Sequence, residues 1–129
     1  MRVRFTWAVA VIVLWPALAI AQPVLGTVQD PKLPTDSVDT SLLVDVYHEF
    51  DFPYEMARAM VQALKPGGRL VLVEYRGEDP SVPIKPLHKM TVAEVRSELE
   101  PVGFHLAAVL DFLPTQHILI FQDARGQRR

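Results

Sequence analysis

The chain has 129 residues, half of them hydrophobic, no cysteine and a formal charge of -2. That length suits one domain, and the lack of cysteine excludes a disulfide framework and any thiolate metal site. The first 21 residues hold two arginines and no acid, leaving 11 basic and 15 acidic side chains for the other 108; a weakly acidic body with no basic stripe argues against a nucleic-acid partner.

Arg2 and Arg4 precede an apolar run from Phe5 to Trp15, broken only by Thr6, and Ala19 and Ala21 follow at small-residue positions. This pattern predicts a signal peptide cut after Ala21, since a bilayer-spanning helix needs roughly 20 apolar residues. The chain is therefore expected to be exported from a bacterial cell, to the periplasm or beyond, meeting the membrane only in passage. The expected organisation is an export signal over 1–21, one domain over 22–124 and a disordered polar tail over 125–129.

Pro23 to Thr27 reads as a short strand, and Gln29 to Asp36, rich in proline and aspartate, as a loop. Val38 to Val46 is a strong strand candidate. Asp45 lies near its C-terminal end, where open parallel sheets take ligands; within such an apolar strand it reads as a buried carboxylate that needs a partner. Tyr47-His48-Glu49-Phe50 follows as a loop. Met56, Met60, Ala63 and Leu64 then mark one stripe of an amphipathic helix beginning at Pro53, a residue tolerated in a first turn. Lys65-Pro66-Gly67-Gly68 stops that helix, and Arg69 to Tyr75 is the second strong strand. Two apolar strands joined through a helix form a βαβ unit, expected to be covered on both faces. The class is α/β.

The stretch from Arg76 to Lys89 is polar and punctuated by Pro80, Pro83 and Pro86. It exceeds the roughly 4–6 residues of ordinary connections, which predicts a lid or binding loop. Thr91 to Glu94 is a capping box with Met90 and Val95 as its hydrophobic staple. The helix from Val92 should end near Glu100, because Pro101 and Gly103 follow. Leu106 to Phe112 and Gln116 to Gln122, joined by Leu113-Pro114-Thr115, read as an antiparallel hairpin. His48 and Glu49 are adjacent and His88 is far along the chain; that is not metal-ligand spacing, so no metal site is predicted.

Leu64-Lys65-Pro66-Gly67-Gly68-Arg69-Leu70, placed between an amphipathic helix and an apolar strand, resembles the class I S-adenosylmethionine-dependent methyltransferases. Val44-Asp45-Val46-Tyr47-His48-Glu49 is similar to the end of that family's fourth strand. The closing helix, Gly103-Phe104 and the hairpin are similar to its sixth and seventh strands. The resemblance spans roughly residues 23 to 122 and implies a partial Rossmann-like sheet with strands in the order 4-5-7-6, two helices and a terminal hairpin.

By this resemblance the cofactor is S-adenosylmethionine, with Asp30 near its adenine and Asp45 and Tyr47 beside its methionine portion. His48 and Glu49 would face a small-molecule substrate, with Tyr75 and His88 at the mouth. His48 is the general-base candidate, because an imidazole accepts a proton near neutral pH. The sequence departs from the family in having no Gly-x-Gly loop after a strand; its six glycines are at 26, 67, 68, 77, 103 and 126. The chain thus looks like the C-terminal half of a methyltransferase behind an export signal, with impaired activity expected. The alternative is an exported non-catalytic remnant or binding module. With the family's first strand missing, Leu42 to Val46 is expected to be an exposed apolar edge. It would pair with Pro23 to Thr27 or with a second copy.

Overall fold

The computed structural model describes residues 21–127. The predicted export signal, save for Ala21, falls outside the described residues, as do Arg128 and Arg129.

Among the described residues, five strands and two α-helices follow in the order β1 (Val38–Val44), α1 (Pro53–Ala63), β2 (Leu64–Arg76), β3 (Lys89–Met90), α2 (Val92–Leu99), β4 (Phe104–Leu110) and β5 (Gln116–Asp123). The main sheet runs β1-β2-β5-β4. β1 and β2 are parallel, whereas β5 is antiparallel to both β2 and β4. This is the 4-5-7-6 order expected from the resemblance. β3 adds a two-residue parallel pair at the far end of β2, with Tyr75 opposite Lys89 and Arg76 opposite Met90.

The core lies on one face of the sheet. Leu70 and Leu72 of β2 and Leu119 and Phe121 of β5 point toward Met56 and Met60 of α1 and Val95 and Leu99 of α2. The alternate residues Val71, Val73, Ile118 and Ile120 are only half-buried. The expectation of two covered faces is thus corrected among the described residues: both helices pack on the same side. The period-2 alternation of a strand then separates a fully buried row from a half-buried one.

α1 ends at Ala63, and Leu64 already has extended backbone, with φ -68° and ψ 139°. The Pro-Gly-Gly stretch is therefore a bulge inside β2: Val38 pairs with Leu64 and Thr40 with Arg69. Gly67 supplies the positive φ of 78° that this bulge requires. The capping box at α2 is formed as read, with Thr91 Oγ1 accepting from the Glu94 backbone and the Glu94 carboxylate accepting from Thr91 N–H.

Three further expectations are corrected. Pro23 to Thr27 is exposed coil, so it does not pair with β1. β1 stops at Val44, two residues early, because Asp45 adopts a left-handed φ of 52°. The segment from Arg125 is not frayed at its start, because it enters a 3-10 turn over Ala124–Gln127. Arg125 itself reaches Asp123, Asp36 and the carbonyls of Val61 and Leu64. The exposed edge is present among the described residues: Leu42 and Val44 are 63% and 55% exposed.

Candidate active site

The site forms at the C-terminal ends of β1 and β2. The Asp45 N–H donates to the Val73 carbonyl at 2.7 Å, the last bond between the two strands. The left-handed turn at Asp45 then swings the chain across the end of β2 into a 3-10 turn over Tyr47–Glu49. An aspartate tolerates this conformation better than most side chains do. Its carboxylate is exposed, so the buried acid expected at Asp45 is corrected: it sits just past the strand, outside the core.

Glu74 is the centre of the arrangement. It closes the apolar run of β2 and is fully buried. Its Oε1 accepts the Tyr47 N–H at 2.8 Å, and its Oε2 lies 2.6 Å from His48 Nδ1. A carboxylate in the interior is tolerated only with both oxygens engaged, and the turn that follows Asp45 delivers the two donors. The bond to Glu74 places the His48 proton on Nδ1 and leaves Nε2 facing outward. That outward nitrogen is 3.2 Å from Glu49 Oε1 and 3.3 Å from His88 Nδ1.

His88 arrives from 40 residues away. The short β3 pairs with the end of β2, and the Gly77 N–H donates to the Met90 carbonyl at 3.0 Å. A Cβ at Gly77 would sit 2.7 Å from Thr91 N, so only glycine permits this close passage. The turn Pro86–His88 is thereby held over His48, and the two rings meet edge to face at 5.3 Å.

Beside this pair lies a cleft of about 240 Å³, lined by Tyr47, His48, Phe50, Pro53, Pro86, Leu87, Lys89, Met90, Glu94 and Glu98. The Tyr47 ring is core, and its hydroxyl donates to Glu98 Oε2 at 2.8 Å. Burial, with the Glu98 and Glu74 carboxylates nearby, pushes that phenol far above its ordinary range. The Tyr47 hydroxyl is thus engaged with Glu98, while the residue itself lines the cleft beside His48.

Residues 10–72 match the sequence profile of a family described as a methyltransferase domain. The fold is shared with a SAM-dependent methyltransferase from Aquifex aeolicus, at 18% identity and a TM-score of 0.68, over 76% of this chain and 52% of that one. It is shared with the trans-methyltransferase CalH, solved in complex with SAH, at 21% identity and a TM-score of 0.62, over 75% and 34%. The chain thus has the fold of these SAM-dependent methyltransferases.

The fold is also shared with the [4+2]-cyclase SpnF, at 15% identity and a TM-score of 0.63, over 78% of this chain and 56% of that one. The chain spans about half the length of the first solved methyltransferase it matches and a third of CalH. Among curated proteins none matches.

Within this methyltransferase fold the sequence-predicted site residues divide into three groups. His48, Glu49 and His88 come together, with Asp45 beside His48 and Glu74. Asp30 lines a different cleft, with Thr27, Tyr54 and Arg58. Its carboxylate is taken by the Lys32 backbone N–H and ammonium at 2.7 and 2.9 Å, which lowers its pKa. Tyr75, adjacent to Glu74 on the same strand, points to the opposite sheet face and is absent from the site. Sequence reasoning missed Glu74 and Glu98 as site members. For Glu74 a signal existed: a lone acid in Leu-Val-Leu-Val-Glu-Tyr at the ligand-binding end of a strand. Glu98 lies on an amphipathic helix among other acids and carries no such mark.

Proposed function

We propose that the chain takes part in S-adenosylmethionine-dependent methyl transfer to a small molecule and contributes the acceptor side of the site. The carrying observation is the His48–Glu74 pair at the C-terminal ends of two parallel strands, where this sheet class takes its ligands. Fit to the cofactor is partial. The exposed Asp45 carboxylate suits a cationic group such as the methionine ammonium, whereas the described residues before β1 offer no strand ending in an acid for a ribose.

S-adenosylmethionine, when bound, supplies an electrophilic methyl group. The chain's own residues prepare the acceptor. His48 Nε2 takes the proton that the acceptor's oxygen or nitrogen loses, and Glu74 balances the imidazolium that results. The neighbouring cleft positions the acceptor and limits water, which is most of what an in-line displacement asks of a protein. Export behind a cleaved signal and weak cofactor binding by this chain alone belong to the same proposal; the sequence carries no Gly-x-Gly loop to approach a cofactor closely.

Calorimetry with S-adenosylmethionine tests the reading. Measurable binding that weakens in Asp45→Asn supports it. No heat at millimolar cofactor would instead favour the exported non-catalytic module. Turnover without methyl loss from the cofactor would point to another reaction on the same fold, as SpnF illustrates.

A further inference from the structure

We propose that His48, Glu49 and His88 bind a divalent transition-metal ion of the zinc type, with one coordination position open to the cleft. His48 Nε2, His88 Nδ1 and Glu49 Oε1 form a triangle with edges of 3.3, 2.9 and 3.2 Å. Zinc–nitrogen and zinc–oxygen bonds of about 2.0–2.2 Å in tetrahedral geometry place neighbouring ligand atoms roughly 3.3–3.6 Å apart. The triangle is the size of one slightly contracted tetrahedral face, and two histidines with one carboxylate is a donor set that zinc accepts.

Proton bookkeeping favours a cation at its centre. A neutral His48 with its proton on Nδ1, toward Glu74, carries a lone pair on Nε2. A neutral His88 has one proton at most to offer from Nδ1, either to Glu49 or to His48 Nε2. The Glu49–His48 edge then sets lone pair against lone pair. A metal ion meets all three at once.

The environment matches what holds a metal-ligating histidine. A carboxylate on the far ring nitrogen fixes the tautomer and raises the basicity of the ligating one, and Glu74, wholly buried, occupies that position. The triangle is closed from below, since the His48 side chain is 6% exposed. It is open above, where His88 and Glu49 are 47% and 55% exposed. A fourth ligand, water or an acceptor oxygen, enters from that side. With metal bound, Nε2 no longer accepts a proton; the ion instead lowers the pKa of the oxygen it holds. That consequence rests on the methyl-transfer reading, whereas the site does not.

The test is calorimetric titration of Zn²⁺ into the chelator-stripped full chain without S-adenosylmethionine, with circular dichroism to verify each variant's fold. We expect one ion per chain at micromolar affinity. Affinity should fall at least tenfold in His88→Ala, fall about 10–100-fold in Glu74→Gln, and stay unchanged in His105→Ala. A folded His88→Ala that binds as the parent does, or a parent giving no heat at millimolar Zn²⁺, would assign the triangle to a second proton and overturn the proposal. Because no cofactor enters the assay, its failure is separate from failure of the methyl-transfer reading.

Discussion

Arg125→Met should be among the most damaging substitutions available outside the core. The guanidinium bonds Asp123 Oδ2 at 2.8 and 2.7 Å, Asp36 Oδ1 at 3.0 Å, and the carbonyls of Val61 and Leu64 at 2.8 and 2.6 Å. The two carbonyls lie at the C-terminal end of α1, where backbone acceptors lack helical partners and a cation is favoured. Asp123 is fully buried, and Asp123 and Asp36 together hold the guanidinium above its ordinary pKa. Methionine preserves much of the stem's packing and removes the charge.

Stranding one member of a buried pair costs about 3–5 kcal/mol. Two features lower that figure here: Arg125 is about a third exposed, and Asp123 Oδ1 keeps the Arg125 backbone N–H at 2.9 Å. About 2–3 kcal/mol is therefore expected, and at this chain length roughly 4 °C of melting temperature per kcal/mol gives a loss of about 10 °C. Urea unfolding followed by circular dichroism measures it, and Asp123→Asn completes a double-mutant cycle. The two changes should be sub-additive by at least about 1 kcal/mol, since each removes the same interaction. A loss below about 0.5 kcal/mol in Arg125→Met, or strict additivity, would refute the clamp.

Three further outcomes are expected. Burial lowers the pKa of His117, outweighing Glu78, Asp111 and Glu74, which raise it, while Arg76 lowers it further; the unfolded chain then binds the extra proton, so stability present above about pH 6.5 is lost as pH falls. His117→Leu should flatten that slope in pH-dependent denaturation, and an unchanged slope would discount the group. Gly77→Ala, whose Cβ meets the Thr91 backbone, should cost about 1–3 kcal/mol as an overpacked site and displace His88; a melting curve equal to the parent's would contradict this. Leu42→Lys with Val44→Lys should abolish any self-association along β1 in size-exclusion chromatography with light scattering, and a parent that is already a clean monomer would sink the idea of pairing at that edge.

Much of the fold was legible because it rests on local pattern. The stripe of Met56 and Met60, the capping box at Thr91, and the two apolar runs at Leu42 and Leu70 each announce an element within a few residues. The Lys-Pro-Gly-Gly stretch was legible as an interruption but not as a bulge, because whether the turn falls outside a strand or within it depends on the partner's register. What stayed hidden depends on distant pairing. Arg125 looks like the first residue of a polar tail until α1's last carbonyls are placed beside it. Likewise His88 sits in a proline-rich loop, and only the two-residue pairing of β3 with β2 carries it to His48. Spacing along the chain cannot register such a meeting, since a fold closes the gap that the sequence leaves open.

Glu74 is the residue at which stability and chemistry diverge. Its carboxylate lies under the site with no solvent contact, and removal from water costs several kcal/mol that its two hydrogen bonds at best offset. An apolar residue of similar volume at the end of this strand would serve the core at least as well, and Tyr47 N–H could find another acceptor in a slightly different turn. No apolar residue, however, could fix the His48 ring with Nδ1 inward and Nε2 facing Glu49 and His88. The orientation of one imidazole nitrogen toward the open side of the cleft is the property that Glu74 secures. Both readings of the site, proton acceptor and metal ligand, require that orientation. A comparison of Glu74→Gln with Glu74→Leu therefore carries more weight than either alone. If stability is kept in the leucine variant while ligand binding is lost, the carboxylate is there for the histidine.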